Sequence, residues 1–293
     1  MSIKMVDPQV RYGEHYPRWI MTYANLMVAM TLGRSNADEL LVARDLAQRL
    51  RAGVVGVAAY RPIEVVCADL PAPAKVFEAD RKQCTQQSAE AEQAFRSVLG
   101  PCVERLEWRL RSALRPLADQ IAHEARSADL VVMGIPPDRV DPTRWPDIRD
   151  LVMSIGRPVL IVPPAGRTSV KRMLVGWKDT PATHRAIADA IPLLRTAEDV
   201  VLAGIAATGE LEQTTRQMEE VETWLKQHGV TARHLALPAR GANANQLDRL
   251  ADELDAGLLV IGAYGHLRQS QWVLGGITAA ALRQTTRLTL LSH

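Results

Sequence analysis

Apolar positions fall in regular blocks along the second half of the chain. "RMLVGW" (172–177) is a short apolar run rich in strand formers. After it, "TPATHRAIADAIPLLRTA" puts Ala186, Ile187, Ala190, Ile191 and Leu194 at helical spacing. Thr180 before Pro181 reads as an N-cap followed by proline at the first helical position. Pro192, late in the same pattern, is expected to bend or shorten the helix. "DVVLAGIAA" is a second strand, and "ELEQTTRQMEEVETWLKQHG" an amphipathic helix closed by Gly229. "VTARHLAL" alternates as a strand does, "NANQLDRLADELDA" is a third helix and "GLLVIG" a fourth strand. Beyond a glycine-bearing loop, "GGITAAALRQT" reads as a helix and "RLTLLSH" as a last strand. Strand–helix alternation of this kind implies right-handed crossovers and a parallel sheet with helices on both faces.

The first half repeats the pattern. "ANLMVAMT" matches "RMLVGWKD", and "SNADELLVARDLAQRLRAG" matches the first helix, with Ser35 as its expected N-cap. "VVGVAAY" is the second strand, residues 76–99 a long polar helix, "VERLEWRL" the third strand and "LRPLADQIAHEARSA" the third helix. "DLVVMG", "DIRDLVMSIG" and "RPVLIVPP" close the unit. The repeat offset is about 147 residues at the first strand and about 128 at the fourth, so one insertion lies between them, around "RPIEVVCADLPAPAK" and the long helix. The reading is an α/β chain of two tandem doubly wound domains: an extension 1–22, a first domain 23–163, a linker 164–171 and a second domain 172–293. Residues 1–20 fit no periodic pattern, and read equally as an added tail or as an arm packed through Tyr16 or Trp19. The closing strands "RPVLIVP" and "RLTLLSH" are expected to pair either with each other or with a second chain.

Composition narrows the function. With 47% hydrophobic residues the chain can bury a sizeable core, and a formal charge of +2 gives no surface for a polyanion. Aromatic residues make up 4%, too few for a base-stacking platform, so no nucleic-acid partner is expected. Three cysteines, Cys67, Cys84 and Cys102, without a CxxC spacing fit a reducing compartment better than a disulfide framework. No apolar run approaches the ~20 residues of a membrane helix and no leader pattern is seen, so a cytoplasmic location is expected.

The chemistry concentrates in "LLVIGAYGHLRQSQWVLGGITAAAL" (258–282). Gly262 ends a strand, and Gly275 and Gly276 open the next helix. Glycine lets a backbone approach a ligand closely, and the first amides of a helix form an anion site with phosphate as the usual guest. The loop is too long for a Rossmann turn and lacks the GK[ST] ending of a P-loop, and glycines alone also serve as turn residues.

"GAYGHLRQSQWVLGGIT" resembles the G-x-x-G-x9-G-[S/T] signature of the universal stress protein family, matched at Gly262, Gly265 and Gly275. The resemblance covers both halves and so is to the tandem type, in which two domains form an internal pseudo-dimer. It implies a five-stranded parallel sheet in each half (an adenine nucleotide alpha hydrolase-like fold), a stress-response role, and ATP, with Mg2+ on its phosphates, in the second half. Carried over, Gly262, Gly265, Gly275 and Gly276 would line the phosphates through backbone amides, with a hydroxyl from Thr278. Trp177, Lys178 and Asp179 would lie near the base and ribose, and Ile205 near the adenine plane. The sequence departs from the signature at Gly276, where the family has a hydroxyl. It departs again at "GWKDT", where Lys178 takes the usual acidic position and Asp179 follows one later. Lys178 is then either a point charge for phosphate or a solvated strand-end lysine. Asp179 either meets a ribose hydroxyl or assists the helix N-terminus.

The first half lacks the loop. After Gly134 come Pro136, Pro137, Pro142 and Pro146, which supply no N–H, so no nucleotide is expected there. Asp138, Arg139 and Asp141 are expected to make local loop contacts.

The seven histidines show no ligand spacing, so no metal site is expected. His266 either contacts a ligand phosphate or caps its loop, while His123 and His184 read as structural or solvated helix positions. No catalytic residue and no Gly-x-Ser-x-Gly elbow stands out, which favours a binding protein over an enzyme. Two rivals remain: an interaction scaffold with protein clients and no nucleotide, and a slow ATP hydrolase using Asp179. A homodimer is compatible with either.

Overall fold

The computed structural model describes residues 22–63, 74–135, 141, 143–166, 168–263 and 286–293. The first half runs β1 (Asn25–Met30), α1 (Ala37–Leu50), β2 (Gly53–Tyr60), α2 (Ala74–Leu99), β3 (Leu106–Ser112), α3 (Leu117–Glu124), β4 (Leu130–Gly134), α4 (Ile148–Ser154) and β5 (Val159–Val162). The second runs β6 (Arg172–Trp177), α5 (Pro181–Leu194), β7 (Asp199–Ala206), α6 (Leu211–Gln227), β8 (Arg233–Pro238), α7 (Asn243–Glu253), β9 (Leu258–Gly262) and β10 (Leu288–Ser292). The helix expected over "GGITAAALRQT" lies outside the described residues.

All ten strands form one sheet in the order β3-β2-β1-β4-β5-β10-β9-β6-β7-β8. Strands within a half are parallel. The halves meet where β5 and β10 pair antiparallel, with Ile161 opposite Thr289 and Val159 opposite Leu291. The closing strands therefore pair within the chain. Each half reverses its strand order beside its first strand, between β1 and β4 and between β6 and β9. Because the seam is antiparallel, the carboxyl ends of the two sets of strands face opposite rims.

Side-chain alternation along the strands builds one apolar layer on each face. Val28, Val175 and Leu290 join Leu40 of α1, Phe95 of α2, Ile187 of α5 and Met218 of α6 on one side. Met27, Leu174 and Leu291 join Ile121 of α3, Leu151 of α4 and Leu247 of α7 on the other. Both layers draw on both halves, so the core runs through the seam. Across it, the Tyr23 hydroxyl donates to the Asp189 carbonyl, and within the second half the Ser292 hydroxyl of β10 donates to the Asp189 carboxylate of α5.

The helix ends follow local chemistry. Thr180 caps α5, accepting from Thr183 N at 3.3 Å, with Pro181 in the first turn. Pro192 stays inside α5, which runs on to Leu194; the expected shortening does not occur, because a proline so near the end removes only one ladder bond. Gly229 has φ +77° and closes α6, with Val230 N bonded to Leu225 O and Gly229 N to Lys226 O. At α1 the cap position is Asn36 and not Ser35. The Asn36 side chain turns back to the β1 end, accepting from Thr31 N at 2.8 Å and donating to Thr31 O at 3.0 Å. No described helix is long and apolar enough to cross a membrane.

Candidate functional site

In an open parallel sheet a crevice forms beyond the carboxyl ends of the strands where their order reverses. In the second half that place lies between β6 and β9. Gly262 is the last residue of β9. A Cβ there would lie 2.4 Å from Thr183 N and 2.5 Å from the Ala182 carbonyl carbon, so only glycine lets the strand end rest against the first turn of α5. The Thr180 and Thr183 hydroxyls, both buried, lie 3.0 Å apart in that turn.

Asp179 sits in the turn between β6 and α5. One carboxylate oxygen meets His184 Nε2 at 3.0 Å, and the other accepts from Gln217 Nε2 on α6 at 2.9 Å. The His184 ring stacks on Trp177, with centroids 5.4 Å apart and planes 26° from parallel. Trp177 is only 7% exposed, so its indole packs in the core and not on an open face. Its Nε1 is buried, and among the described residues no hydrogen-bond partner is found for it. Lys178 is exposed, and Ile205 is half-buried on β7 beyond Gly204, which pairs with Trp177. The structure thus brings Trp177, Asp179 and Gly262 around one helix start. Gly265, His266, Gly275, Gly276 and Thr278 lie outside the described residues.

His184 and Gln217 were not among the sequence's candidate site residues. His184 lies five residues after Asp179, one turn into α5, a spacing that could have signalled the contact. Nothing in the local pattern marks Gln217, whose contact spans 38 positions.

The equivalent place in the first half is filled from within. Gly134 ends β4 as Gly262 ends β9, but a Cβ there would lie 2.0 Å from Glu39 Oε1. Glu39, in the first turn of α1, is 2% exposed and paired with the Arg34 guanidinium. Burial pushes its carboxyl above the usual glutamate range, against the pull of Arg34. Arg34 in turn lies over the Trp145 ring, 5.0 Å from its centroid, and donates to Ile135 O at 3.4 Å. Beside this pair, Arg144 donates to the buried Asp80 of α2, bonds Arg61 O at 3.2 Å and lies over Tyr60. Asp141 makes the expected local contacts, accepting from Thr143 N at 2.8 Å and Thr143 Oγ1 at 2.6 Å. Asp138 and Arg139 lie outside the described residues.

Among the described residues no group of three or more His, Cys, Asp or Glu side chains could hold a metal ion. Cys84 is buried, and burial raises its thiol pKa, which disfavours the reactive thiolate. Cys67 lies outside the described residues.

No family model and no curated protein matches the sequence. Solved structures do match. A universal stress protein from Archaeoglobus fulgidus DSM 4304 aligns over 92% of this chain and 98% of its own, with a TM-score of 0.65 and 11% identity. The fold is the universal stress protein fold. A functionally unknown protein from Pseudomonas aeruginosa PAO1 aligns over 92% of both chains, with a TM-score of 0.59 and 15% identity. Both alignments span the two halves together, so the universal stress protein fold is present here in its doubled form. At this identity the likeness is one of backbone, and the chemistry of the strand ends has to be argued from this chain's own residues.

Proposed function

We propose that the chain is a universal stress protein of the tandem type that binds ATP or a related nucleotide at the carboxyl ends of β6 and β9. The observation that carries this reading is the rest of Gly262 against the first turn of α5, where a Cβ would meet Thr183 N at 2.4 Å. That packing holds the end of β9 beside the start of α5, the end of a helix that favours an anion. The buried Trp177 Nε1, without a hydrogen-bond partner among the described residues, adds a donor near the β6 end.

In this reading the amides of Gly262, Gly265, Gly275 and Gly276 hold the phosphates, with the Thr278 hydroxyl, His266 and Lys178 adding donors. Asp179 accepts from the ribose, and Ile205 gives the base an apolar contact. Mg2+ arrives on the phosphates and needs no protein cage. The units are a first domain 23–163 and a second 172–293, joined by 164–171 and preceded by an extension 1–22. The chain acts as a stress-response binding protein. Mass spectrometry of gently purified protein should find bound ATP or ADP, and calorimetry should return an affinity. No binding at millimolar ATP with the fold intact sinks the reading.

A scaffold that binds no nucleotide is the second reading. The observation on its side is that both oxygens of Asp179 already accept from protein donors.

A further inference from the structure

We infer that His184 and Gln217 are positioning residues that aim the Asp179 carboxylate at a vicinal diol, so that the second half's site selects ribonucleotides over deoxy and non-nucleoside phosphates. This rests on the nucleotide reading above. Asp179 lies in the first strand–helix turn of its half, beside the crevice where the strand order reverses and ligands of open parallel sheets sit. Its side chain is 55% exposed, so burial does not fix it. Two neighbouring side chains do. His184 Nε2 holds one oxygen at 3.0 Å from α5, and Gln217 Nε2 holds the other at 2.9 Å from α6.

A carboxylate offers about four acceptor directions, two on each oxygen. His184 and Gln217 take one on each, which leaves one acceptor per oxygen in a fixed plane. Two parallel acceptors on one group suit the two adjacent hydroxyls of a ribose, each donating to its own oxygen. A single hydroxyl or a bare polyphosphate cannot use both.

The aim is anchored in the core. His184 is itself half-exposed, but its ring stacks on Trp177, which ends β6, is 7% exposed and belongs to the same core layer as Ile187 of α5. With Nε2 as the donor to Asp179, the stack sets the direction of that N–H. The orientation therefore passes from Trp177 to His184 to Asp179, while Gln217 closes it from the neighbouring helix. Neither residue needs to touch the ligand.

The test compares three probes on the full chain by calorimetry: ATP, 2′,3′-dideoxy-ATP and inorganic tripolyphosphate. Gln217→Leu removes one donor at similar size. His184→Phe removes the other and keeps a ring on Trp177. Each is expected to weaken ATP about three- to tenfold, the range of one lost hydrogen bond to a charged acceptor held half in solvent. Dideoxy-ATP and tripolyphosphate should bind each variant as they bind the parent. In an Asp179→Asn background neither substitution should change ATP binding further, because there is no carboxylate left to aim. Equal losses on all three probes would assign His184 and Gln217 to packing α5 on α6 and overturn the inference. Unchanged ATP binding in both variants would overturn it too, with the nucleotide site left standing. A parent that binds tripolyphosphate as tightly as ATP would show an anion site without nucleoside recognition, and a parent that binds neither would remove the site altogether.

Discussion

The two halves build the same junction and fill it differently. In each, a glycine ends the fourth strand and lies against the first turn of the first helix: Gly134 against α1, Gly262 against α5. In the first half the contact is with a side chain, the buried Glu39 carboxylate held by Arg34. In the second it is with backbone, at Ala182 and Thr183. The first half thus closes its junction with a charged side chain, and the second closes it with helix backbone. The sheet needs only apolar strands and a close approach at the junction. It is indifferent to whether that approach is made by a side chain or by backbone, so one fold can carry two different chemistries at the same junction.

That contrast can be broken most forcefully at the glycines. Gly262→Val should cost on the order of 3 kcal/mol in chemical denaturation, because backbone atoms of α5 cannot retreat. Gly134→Ala should cost roughly 1 kcal/mol, since the end of the Glu39 side chain can move. Similar losses at the two sites would remove the distinction between a side-chain and a backbone contact. It also follows that Gly262→Val is a poor probe of ligand binding, since lost structure and lost affinity would coincide.

Arg34→Ala tests the built-in charge. It strands the buried Glu39 carboxylate and should cost about 2 kcal/mol at neutral pH, below the full value for a buried pair because Arg34 is 32% exposed. The pH dependence has a definite sign. The folded pKa of Glu39 is raised, so its contribution to stability is complete below the ordinary glutamate range and is lost as pH rises through the folded value. Without Arg34 the folded pKa rises further and this loss steepens. Urea melts of the variant should therefore approach the parent's stability near pH 4 and fall away by pH 7. A pH-independent difference would mean that the ion pair is not what Arg34 supplies.

In the second half, on the nucleotide reading, the comparable substitution should touch affinity and not stability. Asp179→Asn should weaken ATP about tenfold in calorimetry and leave the melting temperature of the free protein within about a degree, because the carboxylate is half-exposed. The smallest effect is expected at the seam. Asp189 is also raised by burial, with the Ser292 hydrogen bond working against that shift. Its contribution likewise disappears as pH climbs through its folded value. Asp189→Asn should flatten the stability profile between about pH 4 and 7 and change stability at neutral pH by under about 1 kcal/mol. An unchanged slope would show that Asp189 does not titrate differently on folding.

Much of the architecture was legible because it depends on period and on caps. The α5 start could be read from Thr180 and Pro181, and the α6 end from Gly229, since both effects are local. The α1 cap was misplaced by one residue because Asn36 spends its side chain on Thr31, a preference visible only once β1 and α1 are joined. Seam pairing was undecidable, as two apolar closing strands look the same whether they meet each other or another chain. At the site, Asp179 and Gly262 stood out by position. Glu39 did not, because an acid in a first helical turn ordinarily reads as a solvated partner of the helix dipole. Its burial depends on Gly134, which arrives 95 positions later. Gln217 was invisible for a similar reason.

The antiparallel seam has a consequence for the chain as it is made. The exposed edge of β5 finds its partner only when β10 appears, about 125 residues later, which at ribosomal rates is roughly 6–25 s. For that interval Val159–Val162, four apolar residues in a row, form the unprotected border of a finished half-sheet. A nascent chain could join a neighbour's border there before its own β10 arrives. Crowded synthesis should therefore favour strand-exchanged pairs of molecules, and slow translation of the second half should lengthen the window in which they form.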